Sequence, residues 1–179
     1  MNTPFLETSF LVTESDFINM SLTKKQYLTP KENKIILRVL GFIAVLCGVA
    51  AYAFMRNSAY QIICWILLIL IGLFALFYYD VISPSMVRKN AKAFYNFNKS
   101  ALTSKTVRFY DNAFEIYSDN YRVSVPKKYI YKIVESKNTV MIFFDKNEYC
   151  FIPIRVFSDE QLERLHEFAL SDKEKYKKV

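Results

Sequence analysis

Two long apolar runs, Val39 to Met55 and Asn57 to Tyr79, carry no charged residue and are parted only by Arg56, whereas the rest of the chain alternates apolar and polar positions at short period. A bilayer core of roughly 30 Å takes about 20 mostly apolar helical residues, with about 17 to 25 tolerated, and these runs hold 17 and 23. The pattern therefore predicts a transmembrane hairpin over residues 35–80. Around it lie an amino-terminal segment (1–34), a basic juxtamembrane helix and linker (81–104), a β-rich region with a closing helix (105–171) and a charged tail (172–179).

Outside the hairpin the periods change. Thr8 to Val12 is a short β-prone run, with Phe10 and Val12 alternating with polar neighbours, and Ser15-Asp16 is suited to cap a helical turn through Met20. After Asp80, Ser83-Pro84 reads as an N-cap followed by proline at the first helical position, opening a helix from Met86 to Asn98. Val87, Asn90, Ala91, Phe94 and Phe97 fall along one side of that helix, with Arg88, Lys89 and Lys92 on another. From Lys105 to Ile154 short β runs alternate with turns and predict an antiparallel meander. Its strands are Thr106–Tyr110, Ala113–Ser118, Tyr121–Val125, Tyr129–Glu135, Val140–Phe144 and Tyr149–Ile152. Asp111-Asn112, Asp119-Asn120, Lys137-Asn138 and Lys146-Asn147 sit at the junctions, where Asn and Asp tolerate positive φ. Alternation puts Val107, Phe109, Phe114, Ile116, Val123 and Val125 on the inner face.

Ser158 and Gln161 form a capping box that starts a final helix to Leu170, with an apolar stripe at Leu162, Leu165 and Ala169 and with Phe168 beside it. Six strands closed by one amphipathic helix suggest an α+β protein whose soluble part is a small open barrel of pleckstrin-homology type. The amino-terminal head either adds a strand to it, the hairpin and basic helix being inserted after that strand, or is a mobile tail; strand addition is favoured.

Charge refines the placement. The net +7 divides unevenly, because residues 81–110 hold Arg88, Lys89, Lys92, Lys99, Lys105 and Arg108 with no acid, while 1–34 and 111–179 each balance to zero. With Lys24, Lys25, Lys31, Lys34 and Arg38 before the first run, the positive-inside rule predicts two spans in a cell membrane with both termini cytoplasmic. Arg38 is expected to anchor at the inner interface, its stem along lipid and its guanidinium among headgroups, and Tyr78 and Tyr79 to mark the same level as an aromatic belt. A nucleic-acid binder would spread its bases over a face with matching motifs, so no nucleic-acid partner is expected.

Chemistry-bearing constellations are missing from the sequence. Cys47, Cys64 and Cys150 have neither metal-ligand nor CxxC spacing, and no Gly-rich phosphate loop or paired-carboxylate motif occurs. His166, the single histidine, sits beside Glu163 and Glu167 on a helix and reads as structural. No catalytic, metal or cofactor residue is assigned.

With these elements in view, the chain resembles the YcxB-like proteins, bacterial membrane proteins with an amino-terminal segment, two spans and a carboxy-terminal domain. The resemblance lies in Thr106 to Tyr110, in Phe114 to Tyr117, in Tyr129-Ile130-Tyr131-Lys132-Ile133-Val134-Glu135-Ser136, and in Phe151-Ile152-Pro153-Ile154-Arg155-Val156-Phe157-Ser158. It covers residues 105–170, and the hairpin matches in layout alone. Where many relatives carry an aromatic before the central strand, this chain has Pro126-Lys127-Lys128-Tyr129, so the sheet edge there is expected to differ. The family supplies no catalytic residues to carry over.

The expected function is a non-enzymatic, membrane-anchored cytoplasmic module that binds a protein or lipid partner at the anionic inner leaflet, through Arg88, Lys89, Lys92, Lys127, Lys128 and Arg155. A homo-oligomer is open, and Cys47 or Cys64 would report it by crosslinking. The alternatives are an oligomeric membrane component of a transport or stress/immunity system, and an enzyme.

Overall fold

In the computed structural model, residues 3–54, 58–99, 104–118, 121–146, 148–170, 172 and 174–179 are described. They form an α+β protein of two compact units, one of residues 28–88 and one of residues 1–27 with 89–179. Arg56, the Asp119-Asn120 turn and Asn147 lie outside the described residues.

The first unit is built on two helices, α2 (Lys31–Phe54) and α3 (Ala59–Phe77), both long and apolar enough to cross a membrane. Ser58 caps α3 by accepting the Gln61 backbone N–H. The side chains that point outward are the large ones, with Phe42, Leu46, Leu70 and Phe74 each more than half exposed. The buried positions are Gly41, Gly48 and Gly72, all the glycines the chain possesses. A Cβ on Gly41 would lie 2.8 Å from the Gly72 carbonyl oxygen, and one on Gly72 would lie 2.7 Å from the Gly41 carbonyl oxygen. Small residues thus let two helix backbones touch.

The second helix continues further than its apolar run. It passes through a wide π turn (Tyr78–Ile82) into α4 (Ser83–Asn98), so Ser83 has helical dihedrals and is not an N-cap, contrary to the expectation from Ser83-Pro84. The wide turn explains how Pro84 is tolerated. A proline inside a regular helix lacks a donor and clashes with the carbonyl four residues back, and the Ser83 N–H here bonds the Tyr78 carbonyl, one residue further along than in an α-helix.

In the second unit β1 (Leu6–Phe10), β2 (Lys105–Tyr110), β3 (Ala113–Ser118) and β4 (Tyr121–Pro126) form an antiparallel sheet in that order. The head therefore contributes a strand, two residues earlier than its pattern suggests. The reason is local: Thr13 and Asp16 exchange backbone-to-side-chain bonds of 3.2 and 2.9 Å as a capping box, so the strand must end before α1 (Glu14–Leu28) begins. That cap replaces the expected Ser15-Asp16 one, and the helix runs to Leu28 rather than Met20.

Register places Leu6, Phe109 and Phe114 in one cross-strand row, and Val107 beside Ile116; all are buried. Val123 is exposed, correcting its inward assignment, because β4 is an edge strand that meets the core at Val125, towards its end.

The other sheet has order β7-β6-β5-β8, from β5 (Lys132–Glu135), β6 (Thr139–Phe143), β7 (Tyr149–Pro153) and β8 (Tyr176–Lys178). Among the described residues the two sheets do not close into a barrel. Pro126, which has no N–H to give a ladder, ends β4, a 3-10 turn at Lys127–Tyr129 follows, and β5 starts only at Lys132. The departure at Pro126-Lys127-Lys128-Tyr129 is thus where one meander becomes two sheets. No described residue has positive φ, so the Asp111-Asn112 and Lys137-Asn138 junctions turn without it.

Strand β8 replaces the solvated tail expected for 172–179, and it pairs parallel to β5. Helix α5 (Asp159–Leu170) opens on the predicted capping box, Ser158 N–H to Gln161 Oε1 at 3.0 Å and Gln161 N–H to Ser158 Oγ at 3.2 Å. It buries Leu165, Phe168 and Ala169, with the Phe168 ring 5.6 Å edge-on from Phe109. Helix α4 packs through Ala91 and Tyr95, whose hydroxyl donates to the Val12 carbonyl at 3.3 Å. Phe97, on the same side as Ala91 by helical spacing, is 88% exposed.

Candidate functional site

The six bases proposed as a contact surface fall into distinct environments. Arg88, Lys89 and Lys92 are exposed within about one turn of α4, and Lys92 makes a surface ion pair of 3.1 Å with Glu14. Lys127 is half-buried with its ammonium 4.1 Å from the centre of the Phe168 ring. Loss of solvation lowers its pKa below the ordinary lysine value, against the opposing charges of Asp111 and Asp172. Lys128 covers the Tyr129 ring at 4.8 Å.

Arg155 is tied into the fold. Its Nε and Nη2 donate to the two carboxylate oxygens of Asp16 at 3.0 and 2.6 Å, and Nη2 also reaches the Leu11 carbonyl. Asp16 is 4% exposed. Its burial favours the neutral acid, but the bonds from Arg155 and Thr13 outweigh that and hold the carboxyl below its ordinary value. One carboxylate thereby caps α1 and ties the head to the segment after β7.

The interface anchors are arranged otherwise than expected in one respect. Arg38 does not stand alone but donates to both oxygens of Asp80, at 2.6 and 2.8 Å, an exposed pair within the hairpin unit. Tyr78 and Tyr79 lie in the π turn, half-exposed, with ring centres 5.1 Å apart.

A constellation that the sequence does not announce surrounds Glu135 at the end of β5. Its side chain is 5% exposed, and Oε2 accepts from the Tyr176 hydroxyl and from His166 Nε2, both at 2.7 Å. Lys178 Nζ lies 3.4 Å from Oε1. Burial would raise the Glu135 pKa, yet the bonds from Tyr176 and His166 and the charges of His166 and Lys178 prevail and lower it. Strand β5 meets α5 and β8, which follow it well along the chain, at this point. The one available signal was an acid inside an otherwise apolar strand, Ile133-Val134-Glu135, since a buried carboxylate demands partners.

Residues 109–169 match the family model described as YcxB-like protein. This stretch is a YcxB-like domain. It begins within β2 and ends within α5, so the YcxB-like match takes in Glu135 and His166 but neither Tyr176 nor Lys178. No curated protein matches the chain at a significant level.

Clefts open on the unit that carries residues 109–169. One of about 350 Å³ is lined by Phe5, Asp111, Lys127, Arg164, Glu167 and Phe168. A second of about 530 Å³ has the Asp16–Arg155 pair in its wall, with Asn19, Lys137 and Asn138. Both are lined by charges of opposite sign. Among the described residues no group of three His, Cys, Asp or Glu side chains could hold a metal ion. Cys150 is buried, and its thiol pKa is pushed up to about 12, which removes it as a nucleophile.

Proposed function

We propose that this chain is a non-enzymatic, membrane-anchored module, in which the helical hairpin spans a bacterial cell membrane and a pleckstrin-homology-like domain binds a protein or lipid partner at the cytoplasmic face. The observation that carries this reading is the unbroken helical passage from α3 through the π turn into α4. Exposed Arg88, Lys89 and Lys92 follow the apolar segment directly, where an anionic leaflet attracts each base by about 1 kcal/mol. The excess of bases on both flanks of the hairpin favours cytoplasmic termini. A catalytic reading has less to support it, because His166 Nε2 is committed to a carboxylate that also holds Tyr176 and Lys178.

The test uses the full chain reconstituted in nanodiscs with and without anionic lipid. Anionic lipid is expected to slow amide exchange over Lys89–Asn98, and Arg88→Glu with Lys89→Glu and Lys92→Glu to abolish that protection. Identical exchange in neutral and anionic discs removes the lipid contact. Extraction by carbonate wash, or access to a tag at Val179 from outside intact cells, removes the anchor and its orientation.

A further inference from the structure

We propose that the edge of β5 covered by β8 is a docking groove for an extended segment of a partner protein, and that residues 176–179 occupy it as a displaceable strand in cis. The proposal rests on the binding-module reading and specifies the partner: a strand with an aromatic residue followed two positions later by a base.

The tail shows what the groove accepts. Tyr176, Lys177 and Lys178 lie opposite Ile133, Val134 and Glu135 in the one parallel pairing among the described strands. Two backbone bonds hold the ends, Ile133 N–H to the Lys175 carbonyl at 2.7 Å and Val179 N–H to the Glu135 carbonyl at 2.9 Å. Tyr176 and Val179 pack on the core, while Lys177 and Lys178 are exposed. β8 is only three residues long, and parallel pairs are slightly less stable per residue than antiparallel ones.

The receiving side does not depend on the tail. His166 on α5 bonds Glu135 independently of β8, so the carboxylate stays oriented when the tail leaves. Removal of β8 then uncovers the Ile133 N–H, the Glu135 carbonyl and a negative charge, a template for strand addition. Charge complementarity selects a hydroxyl-bearing aromatic and a cation, the chemistry Tyr176 and Lys178 supply. The tether also sets the threshold. A short linker gives the cis strand an effective concentration on the order of millimolar, so a competing segment must be abundant, or bind better than the tail, to enter.

The probe is a fluorescent peptide of sequence Glu-Lys-Tyr-Lys-Lys-Val, residues 174–179, added to the full chain in nanodiscs of neutral lipid. The Tyr176→Ala, Lys178→Ala chain is expected to bind it at least about tenfold more tightly than the unaltered chain, and Glu135→Gln in that background to reverse the gain. Equal binding by the two chains overturns the proposal, as does a peptide with alanine for tyrosine that binds equally well. Should the altered chain lose its fold, amide exchange on the unaltered one decides. Exchange at Tyr176–Val179 about tenfold or more faster than at Val140–Ile142 supports a displaceable tail, and equally slow exchange overturns it. Neutral lipid keeps these outcomes separate from the headgroup contact tested above.

Discussion

The two units of this chain bury opposite kinds of residue. In the hairpin the buried positions are Gly41, Gly48 and Gly72, and the large side chains such as Phe42 and Phe74 point outward. In the other unit Phe109, Phe114, Phe143 and Ile142 are inside with at most 1% exposure. Both follow one rule, that apolar surface seeks an apolar neighbour. They differ in who supplies it, and a hydrocarbon solvent makes large outward side chains cheap and leaves helix contact to backbone proximity.

The contrast predicts unequal responses to the same truncation. Phe109→Ala removes a ring packed 5.0 Å from Phe114 and 5.6 Å from Phe168, and is expected to destabilise the sheet unit by about 3–5 kcal/mol. Phe42→Ala, on an outward face at 57% exposure, should stay within about 0.5 kcal/mol. Urea unfolding of the full chain in micelles, followed by near-ultraviolet dichroism, compares them. Similar shifts would mean that the hairpin faces are packed against something other than lipid.

The reverse asymmetry holds for small-to-large changes. Gly72→Leu forces a Cβ to within 2.7 Å of the Gly41 carbonyl oxygen and of Val45 Cγ2, and overpacking of this kind costs about 1–3 kcal/mol. Trp65, the single tryptophan, lies in the same contact, its carbonyl 3.2 Å from where a Gly48 Cβ would sit. Its fluorescence reports the hairpin alone. In discs with brominated acyl chains, Gly72→Leu should increase Trp65 quenching while leaving the urea midpoint of the sheet unit in place. Unchanged quenching would show that α2 and α3 do not depend on close approach.

Legibility divides along similar lines. Signals confined to a few neighbouring residues read well, namely the apolar runs, the Ser158–Gln161 box and the Ala113–Ser118 strand. Even the insertion of the hairpin after β1 was legible, because the head carries a short β-prone run around Thr8 to Phe10. Signals set by distant partners did not read. Arg155 looks like a free surface base until Asp16, 139 residues earlier, is seen beside it. Tyr176–Lys178 looks like a solvated tail because the charged residues around Tyr176 carry no period, and only the buried Glu135 gives it a place. Helical spacing alone does not separate Ala91, which is buried, from Phe97 on the same side, which is exposed.

Acid offers the finest separation of the two units, because the sheet unit is held in part by carboxylates and the glycine contact by none. Glu135 and Asp16 have pKa values lowered from 4.5 and 3.8. A group whose folded pKa lies below its unfolded one binds fewer protons when folded. Its stabilising contribution is therefore whole above the unfolded value and declines as pH falls through the folded one. Stability of the sheet unit should thus begin to fall as pH drops below about 4.5 and continue downward, whereas Trp65 quenching in the hairpin stays level over the same range. Glu135→Gln should flatten part of that decline, and it should do so together with faster exchange at Tyr176–Val179, since the same carboxylate holds the tail. A decline of the same steepness in Glu135→Gln would assign acid sensitivity to other carboxylates and detach Glu135 from the stability of its strand.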